Sequence, residues 1–319
     1  MSDRYRRGDQ PPLPKPYAFV PLPEGRQSLA RPVGHHRYKP DTLSGVLRAT
    51  IVARSAVHVA SGLLEQTRDS KYPLIKAHFR VNGNIAIPGT SLKGCIRSIV
   101  EAISRSAIHI TRARGLPNDT LPSRSVDQLD PAARLFGAQG YLGLVRFSDA
   151  VLREGKVIIA PTPQLFRPRP ESVDTYFDGR RPRGRKFYMH GELAKGNLPL
   201  EACDVESRFN LRMDFSNLTR GELGLILIAL GLGEPRLWPK LGGGKPACLG
   251  TIEILDPTLI IDDPHASYRD FDPVAAPQPI PPLIDAARAE KLVLDEQLRR
   301  LADILRWPRE DRKCPDRNY

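Results

Sequence analysis

Lys93 and Arg97 stand four residues apart just after a Pro88-Gly89 turn, in the stretch IPGTSLKGCIRSIVEAIS. Two cations at that spacing share one face of a helix. A helix N-terminus carries free N–H groups and the positive end of a dipole, so it attracts anions. The pattern suits a phosphate ligand, and it suits an ordinary strand-to-helix corner with solvated cations equally well. It is not a nucleotide-triphosphate loop, because Lys93 precedes Gly94.

A second anion-binding pattern is LGGGKPACLG, Leu241–Gly250. Gly242, Gly243 and Gly244 let backbone approach a ligand closely and present amide N–H groups. Lys240 and Lys245 flank them. Pro246 follows Lys245 where a Walker motif needs Ser or Thr, so the loop is either a phosphate cradle or a flexible connection. A third stretch, RRPRGRKFYMH (Arg180–His190), interleaves Arg183, Arg185 and Lys186 with Phe187 and Tyr188. Arginines bind phosphates bidentately and aromatics stack on unpaired bases, although most such runs are solvated loops. The seven histidines (35, 36, 58, 78, 109, 190 and 265) have no metal-ligand spacing, and no GxSxG is present. Of the seven, His58 stands at a strand end before Ser61-Gly62 and is the one placed to face a site.

These residues need a scaffold, and the periodicity supplies one. SGVLRATIVARSAVHV alternates as a strand. SGLLEQTRDSKYPLIKAHF reads as loop and then a short apolar stretch, and Asn82-Gly83 turns a hairpin between Leu74 and Ile87. Leu92, Cys95, Ile96, Ile99, Val100 and Ile103 fall on one helical face, with Thr90 or Ser91 as N-cap. DPAARLFG predicts a short helix stopping at Gly137, and Val145 and Phe147 a strand leading to Asp149. SRFNLRMDFSNL is another strand. Thr219 with Glu222 predicts a capping box opening the next helix. DAARAEKLVLDEQLRRLADILRW predicts one amphipathic helix through Leu294, Leu298, Leu301, Ile304 and Leu305. Strand–helix–strand twice over is the order of a ferredoxin-like α+β fold, here with large insertions. The expected organisation is an extended arm over 1–42, a domain over 43–262 with an insertion around 161–200, and a Pro-rich linker, helix and tail over 263–319. His35-His36-Arg37-Tyr38-Lys39 closes the arm with a basic cluster.

The chain has 319 residues, 40% of them hydrophobic, with 48 Lys+Arg against 36 Asp+Glu and a net charge of +12. That excess favours a polyanionic partner. Cys95, Cys203, Cys248 and Cys314 lie far apart with no CxxC, which argues against a zinc site and gives no sign of a disulfide framework. The N-terminus lacks the apolar region of a secretory signal, and no run approaches the roughly 18 apolar residues of a membrane span. The expectation is a soluble, reduced, cytoplasmic protein with no membrane partner.

Together, AVHVASG, IPGTSLKGCIRS, LFG…GLVRFSDA and LGGGKPACLGTIEI strongly resemble the RAMP superfamily of CRISPR-associated proteins, over roughly residues 16–260. PYAFVPLP and RGRKFYMH resemble one subfamily from type III systems. The resemblance implies a modified RNA-recognition-motif (ferredoxin-like) fold. It also implies a subunit that grips guide (CRISPR) RNA within a type III antiviral effector beside other effector subunits and target RNA. Ser91, Lys93 and Arg97 would meet guide phosphates, with Gly242, Gly243, Gly244 and Lys245 beside the same strand. Backbone subunits of this family often cut target RNA with an Asp after the first strand and a divalent metal such as magnesium; binding itself needs no cofactor. Asp69 in Asp69-Ser70-Lys71-Tyr72-Pro73 is the candidate, and its spacing departs from the family pattern. Alternatives are an endoribonuclease that processes CRISPR transcripts, for which His58 is the residue to test, and a non-catalytic scaffold using its C-terminal helix.

Overall fold

Gly89 explains the corner where the first long helix begins. A Cβ there would come within 2.1 Å of the Phe147 carbonyl oxygen, so only glycine lets the helix start against its neighbouring strand. In the computed structural model, residues 13–108, 116, 118–164, 175–179, 181–270 and 276–316 are described. His109 and the rest of 109–115, Arg180, much of the insertion and the ends of the chain lie outside them.

In chain order the first elements are β1 (Tyr17–Val20), β2 (Leu43–Ala53), β3 (Ala60–Gln66), β4 (Leu74–His78), β5 (Arg80–Val81), β6 (Asn84–Ile87) and α1 (Gly89–Ile103). There follow α2 (Pro131–Phe136), β7 (Val145–Phe147), β8 (Ala150–Glu154), β9 (Val157–Thr162), β10 (Phe177–Asp178), β11 (Arg181–Pro182), β12 (Arg185–Tyr188) and β13 (Leu198–Cys203). The last are β14 (Arg208–Leu218), α3 (Arg220–Ala229), β15 (Ile252–Ile261), α4 (Pro264–Arg269), α5 (Pro281–Ala289) and α6 (Asp295–Ile304).

The architecture is mixed α+β with mainly antiparallel sheets. The principal sheet runs β15-β2-β14-β8-β6-β5, with β7 also paired to β14. β2 and β14 are its long central strands, in antiparallel register from Arg208 against Val52 to Phe215 against Gly45. A second sheet runs β3-β4-β13-β9. The predicted apolar face of α1 is buried at every position named above, and it packs with α2, α3, α6 and β7. α3 opens with the expected capping box, Thr219 and Glu222 each serving the other's backbone N–H. α2 is capped by Asp130 and ends at Gly137. Arg134 of α2 and Glu222 of α3 form a buried ion pair at 3.1 Å.

Several expectations change. SGLLEQ is an exposed strand, β3, rather than loop; it lacks apolar alternation because both its faces meet solvent. The cap of α1 is Pro88, with no side-chain cap bond from Thr90 or Ser91. The C-terminal helix is two helices, broken where Lys291 takes a left-handed φ of 54°. Leu298, Leu301, Ile304 and Leu305 are buried, and α6 packs on α1 and β1, so this face is not a free docking surface for a scaffold. Part of the arm is strand: Tyr17–Val20 pairs with Arg185–Tyr188, which joins the two stretches that carried the subfamily resemblance. Cys248 and Cys314 form a disulfide with Cα atoms 5.8 Å apart, against the expectation of none. Their 66-residue separation hides a tail that folds back, with Cys314 N–H donating to the Glu192 carbonyl. No helix among the described residues is long and apolar enough to cross a membrane.

Candidate nucleic-acid interface

The helix corner and the glycine loop are neighbours. Cys95, two residues past Lys93, points its thiol at the Lys240 carbonyl at 3.5 Å, and the Lys245 ammonium acts on the same thiol electrostatically. The loop is fixed from below. Gly242 has a φ of +80°, and a Cβ on it would meet the His58 carbonyl oxygen at 2.3 Å. Gly243 N–H donates to that carbonyl at 2.8 Å. The N–H groups of Leu241, Ala247, Cys248, Leu249 and Gly250 are also taken within the chain. Among the described residues the N–H groups of Gly242, Gly244 and Lys245 are left without an internal acceptor. This half-buried segment can therefore donate to an anion.

The cations sort into two groups. Lys93 and Lys245 make no ion pair or hydrogen bond among the described residues. Burial, and then the like charge of Arg97, push the Lys93 ammonium below its ordinary pKa. A half-buried ammonium beside a guanidinium gains from a bound anion, which removes both penalties. Arg97, Arg185 and Lys186 already have partners. Arg97 donates its Nε to Glu101 at 2.9 Å and its Nη1 to the Gly137 carbonyl at 3.0 Å. Arg185 donates to the other Glu101 oxygen at 2.6 Å and to the Ala107 carbonyl at 2.7 Å. Burial pushes its pKa down. Lys186 lies in a cage of Tyr17, Tyr176 and Tyr188, 4.7–5.1 Å from the ring centres. Arg183 is exposed and donates to the Phe177 carbonyl at 3.0 Å, apart from the corner. Lys240, which the sequence placed as a flanking cation, points inward: its Nζ donates to the Met189 carbonyl at 2.7 Å, and burial holds its pKa well below the ordinary value.

The helix N-terminus differs from the sequence expectation. Gly89 N–H donates to Asp149 Oδ1 at 2.7 Å, and the Ser91 and Leu92 N–H groups go to the Pro88 carbonyl. A carboxylate already occupies the dipole end, and in this first turn the Thr90 N–H alone lacks an acceptor among the described residues, so attraction at this corner rests mainly on Lys93. Ser91 is half-buried in that first turn. Asp149 was visible only as the end of GLVRFSDA; an acidic residue closing a short strand was the available signal.

The two catalytic candidates lie in different settings. His58 is buried under the glycine loop, with its Nδ1 2.6 Å from the Glu201 carbonyl and its ring edge-on to His78. Burial lowers its pKa. This is the setting of a packing histidine. Asp69 is exposed at the tip of the β3–β4 hairpin, where its Oδ1 accepts from the Lys71 and Tyr72 N–H groups at 2.8 and 3.2 Å. It builds the turn. No group of three or more His, Cys, Asp or Glu among the described residues could hold a metal ion. Asp69 therefore offers a lone carboxylate, and no step through a metal is derived.

An α+β protein with a lysine-flanked glycine loop docked beside a helix corner is the class defined by this geometry. The family model of the RAMP superfamily matches residues 50–253, from within β2 to the start of β15. The chain belongs to that CRISPR-associated superfamily. Membership implies a role in binding CRISPR RNA alongside other Cas proteins. Comparison with curated proteins gives no match.

Proposed function

We propose that this protein is a guide-RNA-binding subunit of a type III CRISPR effector ribonucleoprotein. In this reading Lys93, Lys245 and the N–H groups of Gly242, Gly244 and Lys245 hold the RNA backbone. The observation that carries it is the juxtaposition of two lysines and loop amides that have no partner among the described residues, on a chain of net charge +12. Backbone donors and ammonium groups read phosphate rather than sequence, which a subunit serving many different guides requires. The ferredoxin-like reading of the fold belongs to the same proposal. It is supported by the order β2, α1, β8, β14, α3, β15, with β2 and β14 central and antiparallel. Ser91 borders the cradle. Arg97 and Arg185 serve it by shaping the helix rather than by direct contact, because each is already paired with Glu101.

The experiment is purification of the full chain with its native partners, followed by sizing of any nucleic acid that accompanies it. A short RNA of uniform length, lost with the pair Lys93→Glu and Lys245→Glu, is the expected result. A preparation that carries no RNA, or RNA retained equally by the double variant, removes the assignment.

A further inference from the structure

The basic cluster that ends the arm, His35-His36-Arg37-Tyr38-Lys39, takes no part in the cradle, yet its backbone is held as firmly as a binding loop needs. Asn217, only 2% exposed, sits with a left-handed φ of 56° where the register of β14 against β2 slips. Its Oδ1 accepts from the Lys39 N–H at 3.1 Å. Its Nδ2 donates to the carbonyls of Gly34 at 3.0 Å and Arg37 at 2.9 Å. Thr42 donates its hydroxyl to the Lys39 carbonyl at 2.8 Å, and a His35 ring nitrogen lies 3.1 Å from the Leu142 carbonyl. One core side chain thus ties three backbone groups of the arm and turns the side chains of His35, His36, Arg37 and Tyr38 to solvent. Tyr38 is 62% exposed. A large aromatic kept in water on a rigid backbone between two cations is not a packing residue.

The surroundings extend the cradle toward this cluster. A cleft of about 770 Å³ is lined by Arg31, His36, Lys39 and Tyr141, with Asp127 as its one acidic lining residue, 3.6 Å from Arg31. A second cleft of about 380 Å³ is lined by Lys93, Arg97 and the same Tyr141. The two clefts therefore adjoin at Tyr141, and the cationic surface continues from the helix corner onto the arm.

We propose that single-stranded RNA leaving Lys93 passes Tyr141 and runs over the arm, with phosphates on Arg37 and Lys39 and one base stacked on Tyr38. This rests on the proposed cradle and adds a second contact segment to it. Cations alone would serve any polyanion. The exposed ring favours a ligand with unpaired bases, because stacking on an aromatic needs a free π-face and no particular sequence.

The test uses the full chain freed of nucleic acid and fluorescent oligouridylates from about 4 to about 16 nucleotides, the range of sites on single-strand-binding folds. The wild type should gain affinity with length. Tyr38→Ala should lose about 10-fold for the long oligonucleotides and nothing for the shortest. Arg37→Ala with Lys39→Ala should lower the salt slope on long oligonucleotides by about 1.4, at roughly 0.7 per phosphate contact. A terminal 5-iodouridine on a long oligonucleotide should crosslink to Tyr38 in the unaltered protein. Short oligonucleotides indifferent to Lys93→Glu and Lys245→Glu would overturn the cradle and this extension with it. Short binding that needs those lysines, with long binding indifferent to both arm variants, would overturn the extension alone. Loss of a partner subunit from the arm variants with RNA binding unchanged would do the same, and would make the arm a protein interface.

Discussion

Replacing Glu101 by glutamine removes the carboxylate shared by two guanidinium groups. Glu101 is 7% exposed and accepts from Arg97 at 2.9 Å and Arg185 at 2.6 Å, whose side chains are 16% and 13% exposed. The amide keeps the shape but carries no charge and sets an NH₂ among donors. Breaking a buried pair by removing one partner costs about 3–5 kcal/mol, because the remaining charge is left without compensation. At about 2–4 °C per kcal/mol for large domains, the unfolding temperature should fall by roughly 6–20 °C. Urea unfolding gives the free energy and differential scanning calorimetry the temperature. Adding Arg185→Met should recover part of the loss, since it removes the cation that Glu101→Gln strands; the two sites are coupled and their effects will not add. A loss below about 1 kcal/mol, the range of exposed pairs, would refute the reasoning. Arg97 and Arg185 would then be solvated cations, free to bind phosphate as the sequence alone suggested.

Three further predictions concern separate parts of the molecule. His190 is fully buried, accepts from Thr251 and donates to the Trp238 carbonyl, and burial lowers its pKa to about 3. Below the ordinary value of 6.5 the unfolded chain binds a proton that the folded chain does not, so stability falls as pH drops from 6.5 toward 3 and is untouched above 6.5. His190→Asn should flatten that slope by up to about 1.4 kcal/mol per pH unit, read from urea midpoints, and an unchanged slope would contradict the assignment. Cys314→Ser should cost up to about 4 kcal/mol for a loop closed over 66 residues. Thiol titration of the denatured, unreduced wild type should find two groups, Cys95 and Cys203, and finding four would contradict the disulfide. Asp69→Asn keeps the Oδ1 acceptor that forms the hairpin tip, so guide binding and any target-RNA cleavage should persist; cleavage lost with binding retained would make Asp69 catalytic.

Much of the fold was legible because local rules and global packing agree. The apolar period of α1, the capping box of α3 and the alternation of β14 each state their own burial, and the core follows them. The glycine loop was legible only as a choice between phosphate cradle and flexible connection; its seating on the His58 carbonyl shows in the structure alone. What was not legible depends on partners distant in sequence. Nothing near Arg97 announces that Glu101 and Arg185 will enclose it, and nothing near Gly89 announces Asp149, 60 residues on. Asn217 interrupts the apolar rhythm between Phe215 and Leu218, but its three arm partners lie about 180 residues away. β3 was misread because an edge strand exposed on both faces carries no periodic signal.

The central claim is that Lys93 and Lys245 contact RNA phosphate while Arg97 does not. The most direct measurement is the dependence of guide-RNA affinity on salt concentration for the wild type, for Lys93→Ala with Lys245→Ala, and for Arg97→Gln. Each lost phosphate contact on single-stranded RNA lowers the slope of log K against log salt by about 0.7. The account predicts a slope reduced by about 1.4 for the lysine pair and unchanged for Arg97→Gln. An unaltered slope for the lysine pair would contradict it.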